Sequence, residues 1–373
     1  MHALSRLRIA IFFACCGAIG AGCIIFFRPI DIPYLLSKLN GRQQALCIRC
    51  NVILISVDTL SANHLPCYGY PLNTAPFMCS FAENNIFFTN SSAQSYNTLP
   101  SHFSIFTSLY PSTHRVVLPI IDTLENTYTT LPEVLKRHGY ATLYFGPSDS
   151  VFLPLDKGLG RGFDFIESTY TYRSIEHWNA GLNMLQENKK RGVPTFLFLH
   201  TYYVHEPYVP GNVPLHFTQS RYPNIPLTEE EYFATTPEFV AFVQQQITSG
   251  YVTIQPQKNA QKAYASFVAA STPAQKIASY NNLEGYLLGS PRAQYHYLSD
   301  TDQKRVAYIK ALYDERIYQF DRDLHTFLTA LTPLLTSDTI LIITADHGEG
   351  FMEHNLMNHL SLYSEVLRVP LIM

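Results

Sequence analysis

Residues 51–58 read NVILISVD and residues 339–347 read TILIITADH. Each begins as an apolar run without helical period, is too short for an ordinary helix, and ends in an acid. Such a run fits a strand of a parallel sheet buried on both faces, where no polar alternation is needed. Working outward, ATLYFG (141–146) and TFLFLHT (195–201) have the same character, and IFFTNSS (86–92) and EVLRVPLIM (365–373) also read as strands. Helical patterns occupy residues 75–85, 130–138, 175–190 and 303–332. Strands alternating with helices predict an α/β fold, a largely parallel central sheet flanked by helices.

Residues 208–300 break this rhythm. They are rich in Pro, Gln, Ala and Tyr and read as an insertion, partly helical, over one end of the sheet. At the other end of the chain, residues 9–27 (IAIFFACCGAIGAGCIIFF) carry no charge and follow Arg6 and Arg8. Nineteen apolar residues suffice to cross a bilayer, and the arginines place the N-terminus inside, with the rest of the chain on the periplasmic or extracellular side. A cleaved export peptide or a lipid anchor at Cys23 are the alternatives for this segment. The layout is therefore a membrane anchor or signal over 1–30, a linker over 31–50 and the α/β domain over 51–373.

The 373 residues are 47% hydrophobic and 15% charged, with a net charge of −3 and no long basic run, which excludes a nucleic-acid footprint. An anionic substrate must then be held by a local site, not by the field of the whole molecule. Cys47 and Cys50 form a CxxC outside any strand and without a second pair, which reads as a local structural disulfide.

Ligands of parallel sheets bind beyond the carboxyl ends of the strands. Two strands end there in acids, at Asp58 and at Asp346 with His347 beside it, a donor set suited to a divalent cation. An Asp in such a place also serves as a helix N-cap, and that reading stands for Asp58 taken alone. The stretch SYNTLPSHFSIFTSLYPSTH (95–114) sets Thr98 just ahead of a helix over Ser101–Leu109, where the helix dipole favours an anion. A threonine hydroxyl needs a base or a metal to become a nucleophile, so the metal and nucleophile readings stand together. His64, His114, His138 and His177 read as solvated, and the strand-end His200 as either a core histidine or, with His205, a ligand of a second metal.

NVILISVDTL, CYGYPLNTAPFM, TLPSHFSIFTSLYPSTH, FLFLHTYYVHEPY and TADHGEGFMEH with SLYSEVLRVPLIM resemble, in order, the blocks of the sulfatase family, in the alkaline phosphatase superfamily. The resemblance implies hydrolysis or transfer of sulfate, phosphate or phosphonate esters, and a sheet fold with a smaller C-terminal subdomain. Because the chain stops inside an apolar run, that subdomain is expected to be truncated. By resemblance Asp58, Asp346 and His347 are metal ligands and Thr98 is the metal-bound nucleophile. His205 matches a histidine that contacts the substrate or its leaving group, and His359 matches another polar site residue.

Two departures are visible. Where the family's sulfatases carry a Cys or Ser that becomes formylglycine, followed by Arg in a Cys/Ser-x-Pro-x-Arg motif, this chain has Thr98 and His102. Threonine cannot yield that aldehyde, because its β-carbon already bears a methyl. The family's lysine after the Asp-His pair is also missing. Threonine nucleophiles occur in the superfamily's phosphodiesterases and its membrane-anchored phosphoethanolamine and phosphoglycerol transferases. The expected cofactor is a divalent metal ion (Mn, Zn, Mg or Ca), and the expected partner an anionic ester, with a lipid or a glycan as its candidate carriers. The competing reading is an inactive relative serving as an envelope scaffold or binding module.

Overall fold

The apolar runs pair as expected. In the computed structural model the described residues are 49–118, 121–148, 153–168, 175–206, 303–336 and 338–373, with scattered positions between 208 and 275. In chain order their elements begin with β1 (Asn51–Val57), α1 (Pro76–Glu83), α2 (Thr98–Thr107), the single turn α3 (Pro111–His114) and α4 (Leu131–Arg137). Then come β2 (Ala141–Gly146), β3 (Phe165–Ser168), α5 (Trp178–Lys190), β4 (Thr195–Thr201) and α6 (Gln303–Leu331). The last are β5 (Thr339–Thr344), a small hairpin β6 (Gly350–Phe351) and β7 (Met357–Asn358), α7 (Ser364–Leu367) and β8 (Leu371–Ile372).

Six strands form one sheet in the order β3-β2-β4-β1-β5-β8. All neighbours are parallel except β5 and β8. The central strands are apolar on both sides because both faces are covered. Ile53, Ile55, Val57, Leu197, Leu199 and Ile343 join one core with residues of α1, α5 and α6. Leu54, Phe196 and Phe198 join a second core with Leu99, Phe103 and Phe106 of α2. Burial on this scale, at about 25 cal/mol per Å² of apolar surface, is the main favourable contribution to folding.

Register brings the two strand-end acids together. On β1 and β5, Leu54 stands opposite Ile342 and Ser56 opposite Thr344. Two residues further on, in the same step of the pleat, the chains reach Asp58 and Asp346. Both acids therefore inherit the face covered by α2.

Several expectations are corrected. Helix α2 starts at Thr98, three residues earlier than read, with Asn97 as its extended N-cap. Residues 86–92 form no regular strand: Ile86 exchanges hydrogen bonds with Met373 (2.8 and 2.9 Å) and the Phe88 N–H donates to Leu371 (3.1 Å), after which only an isolated bridge joins Ser92 to Arg368. Asn90, Ser91 and Ser92 supply turn chemistry where a longer strand would need side chains to pack. Residues 365–373 likewise divide, with a helical turn over Ser364–Leu367 and β8 only after Pro370, which has no N–H to give a ladder. The short β3 was not anticipated; its Phe165 and Ile166 are exposed at the sheet edge. His64 and His114 are buried, not solvated: His64 Nδ1 lies 2.7 Å from Asp314, and His114 Nε2 lies 3.1 Å from the Ser104 hydroxyl.

A disulfide joins Cys67 to Cys79 and closes the turn-rich loop ahead of α1. Cys50 is also disulfide-bonded, and Cys47 lies outside the described residues. So do the anchor and most of the linker, as well as most of the insertion at 208–300. Among the described residues no helix is long and apolar enough to cross a membrane.

Helix α1 begins after Ala75, which has no side chain to cap it. The cap comes instead from α6, whose Asp321 accepts hydrogen bonds from the N–H groups of Phe77 (2.8 Å) and Met78 (2.7 Å). Asp321→Ala is expected to lower stability by about 1–2 kcal/mol, the usual worth of a lost cap, read as an earlier urea midpoint; an unchanged midpoint would refute this role.

Candidate active site and metal centre

Beyond the carboxyl ends of β1 and β5, the side chains of Asp58, Asp346 and His347 converge, with one ligand atom from each all within 4.8 Å of one another. All three residues are buried. Thr98, at the first turn of α2, completes the group. Its hydroxyl donates to Asp58 Oδ2 at 3.2 Å and lies 3.4 Å from His347 Nε2. His347 Nδ1 sits 3.1 Å from the carbonyl of Gly348, so Nδ1 carries the proton and Nε2 turns its lone pair to the other three residues. Gly348 is required there, because a Cβ would fall 2.4 Å from the Glu365 carbonyl.

The electrostatics are those of a site built around positive charge. Burial, and then the charge of Asp346, push Asp58 up to about 6. Burial pushes Asp346 up to about 7. Burial holds His347 down at about 4, so its ring is neutral. Asp58 Oδ1 and both carboxylate oxygens of Asp346 are buried without a hydrogen-bond partner. Unpaired buried carboxylates are expensive, and a divalent cation would satisfy all three oxygens at once. The donor set of two carboxylates, one imidazole and one hydroxyl fits such an ion.

Two histidines support this group from below. His102 Nδ1 donates to the Thr98 carbonyl (2.8 Å) and Nε2 accepts from Ser56 Oγ (3.0 Å), so both ring nitrogens are engaged within the fold. Burial lowers it to about 4. His200 Nδ1 donates to the Ser56 carbonyl (2.9 Å), which leaves Nε2 facing Asp58 Oδ2 at 3.7 Å. Burial takes His200 well below the usual imidazole range. Gly146, at the end of β2, makes room for it, since a Cβ there would lie 2.9 Å from His200 Cβ.

Above the group lie His205 and His359, with ring centres 5.4 Å apart and His359 only 4.5 Å from His347. His205 Nδ1 donates to the Glu206 carbonyl (2.7 Å). His359 Nδ1 donates to Glu349 Oε1 (3.2 Å), and Tyr208 donates to the other oxygen of Glu349 (2.7 Å). Burial works against charge on His359, but the Glu349 carboxylate lifts it to about 9 and keeps it an imidazolium at neutral pH. Burial works to raise Glu349 in turn, and the His359 charge and hydrogen bonds bring it below the ordinary carboxylate value. The arrangement can hold a cation, present an oxygen nucleophile and offer a proton.

Residues 50–373 match the family model described as Sulfatase. The chain belongs to the sulfatase family. An arylsulfatase of Hemicentrotus pulcherrimus is 27% identical over 195 residues, which is 47% of this chain and 34% of that protein. The sulfatase-family chain thus spans about a third of that relative's length. Among solved structures, one in complex with its substrate D-glucosamine-2-N,6-O-disulfate has a TM-score of 0.55 at 18% identity, covering 87% of this chain and 71% of the other. The phosphonate monoester hydrolase of Agrobacterium radiobacter has a TM-score of 0.53 at 18% identity, covering 87% and 67%. At these identities the likeness is one of fold.

All six residues singled out from the sequence, Asp58, Thr98, His205, Asp346, His347 and His359, come together in the sulfatase-family structure. Reading the sequence did not pick out Glu349, Tyr208 or the pegging role of His102. The signal for Glu349 was present, since it stands two residues after His347 in the same short run.

Proposed function

We propose that this chain is a metal-dependent ester hydrolase or transferase of the sulfatase family that acts on sulfate or phosphate esters through a covalent threonine intermediate. The observation that carries it is the Thr98 hydroxyl within reach of Asp58 and His347, beside buried carboxylate oxygens that have no partner. Asp58, Asp346, His347 and Thr98 would hold the cation, which when bound lowers the pKa of a coordinated hydroxyl and screens charge on the ester oxygens.

The chain's own part is set by its geometry. Thr98 gives up its hydroxyl proton toward Asp58 Oδ2, and Oγ1 forms a bond to the sulfur or phosphorus of the ester. The bond from that atom to the ester oxygen breaks, and the departing alkoxide takes a proton from His359, which Glu349 keeps charged. In this reading His205, with its ring centre 5.4 Å from that of His359, contacts the leaving group. Water, or the hydroxyl of an acceptor, then attacks the same atom and gives its proton to His359, while the bond to Thr98 Oγ1 breaks and Oγ1 takes back its proton from Asp58. Threonine cannot form the aldehyde of the family's usual sulfatases, and His102 replaces the arginine of their motif. These two departures favour a phosphoester or phospholipid-derived group over a sulfate.

Thr98→Ala is expected to abolish the covalent adduct and lower the rate by about three orders of magnitude or more, while Thr98→Ser retains part of the activity. Mass spectrometry of a quenched reaction with phosphate, phosphodiester and sulfate esters reads this out. Normal turnover by Thr98→Ala would end the proposal. Asp346→Ala should lose bound cation and turnover together, as should wild type treated with a chelator, and metal analysis of a metal-replete wild type that finds no ion would contradict the mechanism.

The same reading puts the enzyme outside the cytoplasm, tethered through residues 9–27. The Cys67–Cys79 disulfide supports an oxidising compartment. A reporter fused after residue 50 should be active only in an exported form, and cytoplasmic activity of that fusion would exclude this topology.

A further inference from the structure

Immediately after Asp58 the backbone does something unusual. Thr59 has φ +57°, in the left-handed region that a β-branched residue enters only under constraint. Glycine would sit there freely. Thr59 is fully buried, and its own hydroxyl donates to the Asp58 carbonyl at 2.8 Å, so nothing at the site draws its side chain outward.

The constraint comes from Tyr313, in the middle of α6. Its phenol donates to the Thr59 carbonyl and accepts the Ser61 N–H at 3.0 Å, bridging both ends of the turn with one oxygen. The ring is fixed by its neighbours: His64 at 4.9 Å, Phe351 at 5.0 Å and Tyr208 at 5.3 Å between centres. A rigid phenol thus holds a turn that would otherwise relax, and Asp58 is the residue whose direction that turn decides. On its other side, Asp58 is held by its own N–H, which donates to the Thr201 carbonyl at 2.9 Å.

We infer that Tyr313 is a positioning residue for the metal centre, locking Thr59 in the left-handed conformation so that Asp58 meets Thr98, Asp346 and His347. The inference rests on the metal-dependent reading above and deepens it. Tyr313 acts through the backbone of residue 59.

The test is a double-mutant cycle on the full chain, read as Mn²⁺ and Zn²⁺ dissociation constants by equilibrium dialysis with metal analysis. Tyr313→Phe keeps the ring and its packing and should weaken cation binding about tenfold or more. Thr59→Gly alone should leave affinity within about threefold of wild type, because glycine adopts the same φ without constraint. Adding Thr59→Gly to Tyr313→Phe should restore binding to that of Thr59→Gly alone. Wild-type affinity in Tyr313→Phe, or a double variant as weak as Tyr313→Phe, would overturn the inference. Should Tyr313→Phe not fold, the comparison of the double variant with Thr59→Gly decides: equal affinities support the inference and a tenfold gap refutes it. A wild type that binds neither ion removes the metal-dependent reading itself, a result distinct from any difference among the variants.

Discussion

Two carboxylates buried side by side repel each other and have each lost the water that would screen them. Asp58 and Asp346 are in that position because β1 and β5 run parallel and in step, so that their terminal acids arrive together on one face of the sheet. Much of the surrounding structure is arranged around this conflict. The first turn of α2 brings its dipole and a hydroxyl to the acids. His347 offers them a neutral lone pair. A site of this kind is unfavourable when empty of charge, and a cation would relieve it.

A second layer of charge works in the opposite sense. The Glu349–His359 pair, closed by the Tyr208 hydroxyl, keeps an imidazolium next to a neutral His347. Two histidines with ring centres 4.5 Å apart thereby hold opposite protonation states, one depressed by burial and the other raised by its carboxylate. Divergent environments for like groups are how a fold sets their protonation states apart.

Much of this was legible in the sequence. NVILISVD and TILIITADH declared their strands because burial on both faces removes any polar alternation, and the acids at their ends marked the edge where Asp58, Asp346 and His347 converge. Thr98 was legible from its place before a helix, although the helix proved to start on it and not after it. The misreadings lie where tertiary contacts override local pattern. The run at 86–92 had strand composition, but only its first residues find a partner in the sheet. His64 and His114 looked solvated because their partners, Asp314 and Ser104, lie on elements that local pattern does not bring to them. The Cys67–Cys79 bond escaped because spacing alone does not tell a disulfide from two small hydrophobes. Glu349 was visible as a residue, but its role depends on a histidine ten positions further on and on a tyrosine that follows β4.

The pairing of β1 with β5 also bears on how the molecule is made. Thr98 and His347, which nearly touch in the finished site, are 249 residues apart in the chain. β1, one of the two central strands of the sheet, thus waits for its neighbour β5, which lies far along the chain. Contacts of such long range are entropically costly to close and slow to form. Through that interval the apolar edge of β1 stays unpaired, a surface prone to mispairing. A chain ordered this way completes the centre of its sheet, and with it the cluster at the strand ends, only late in folding.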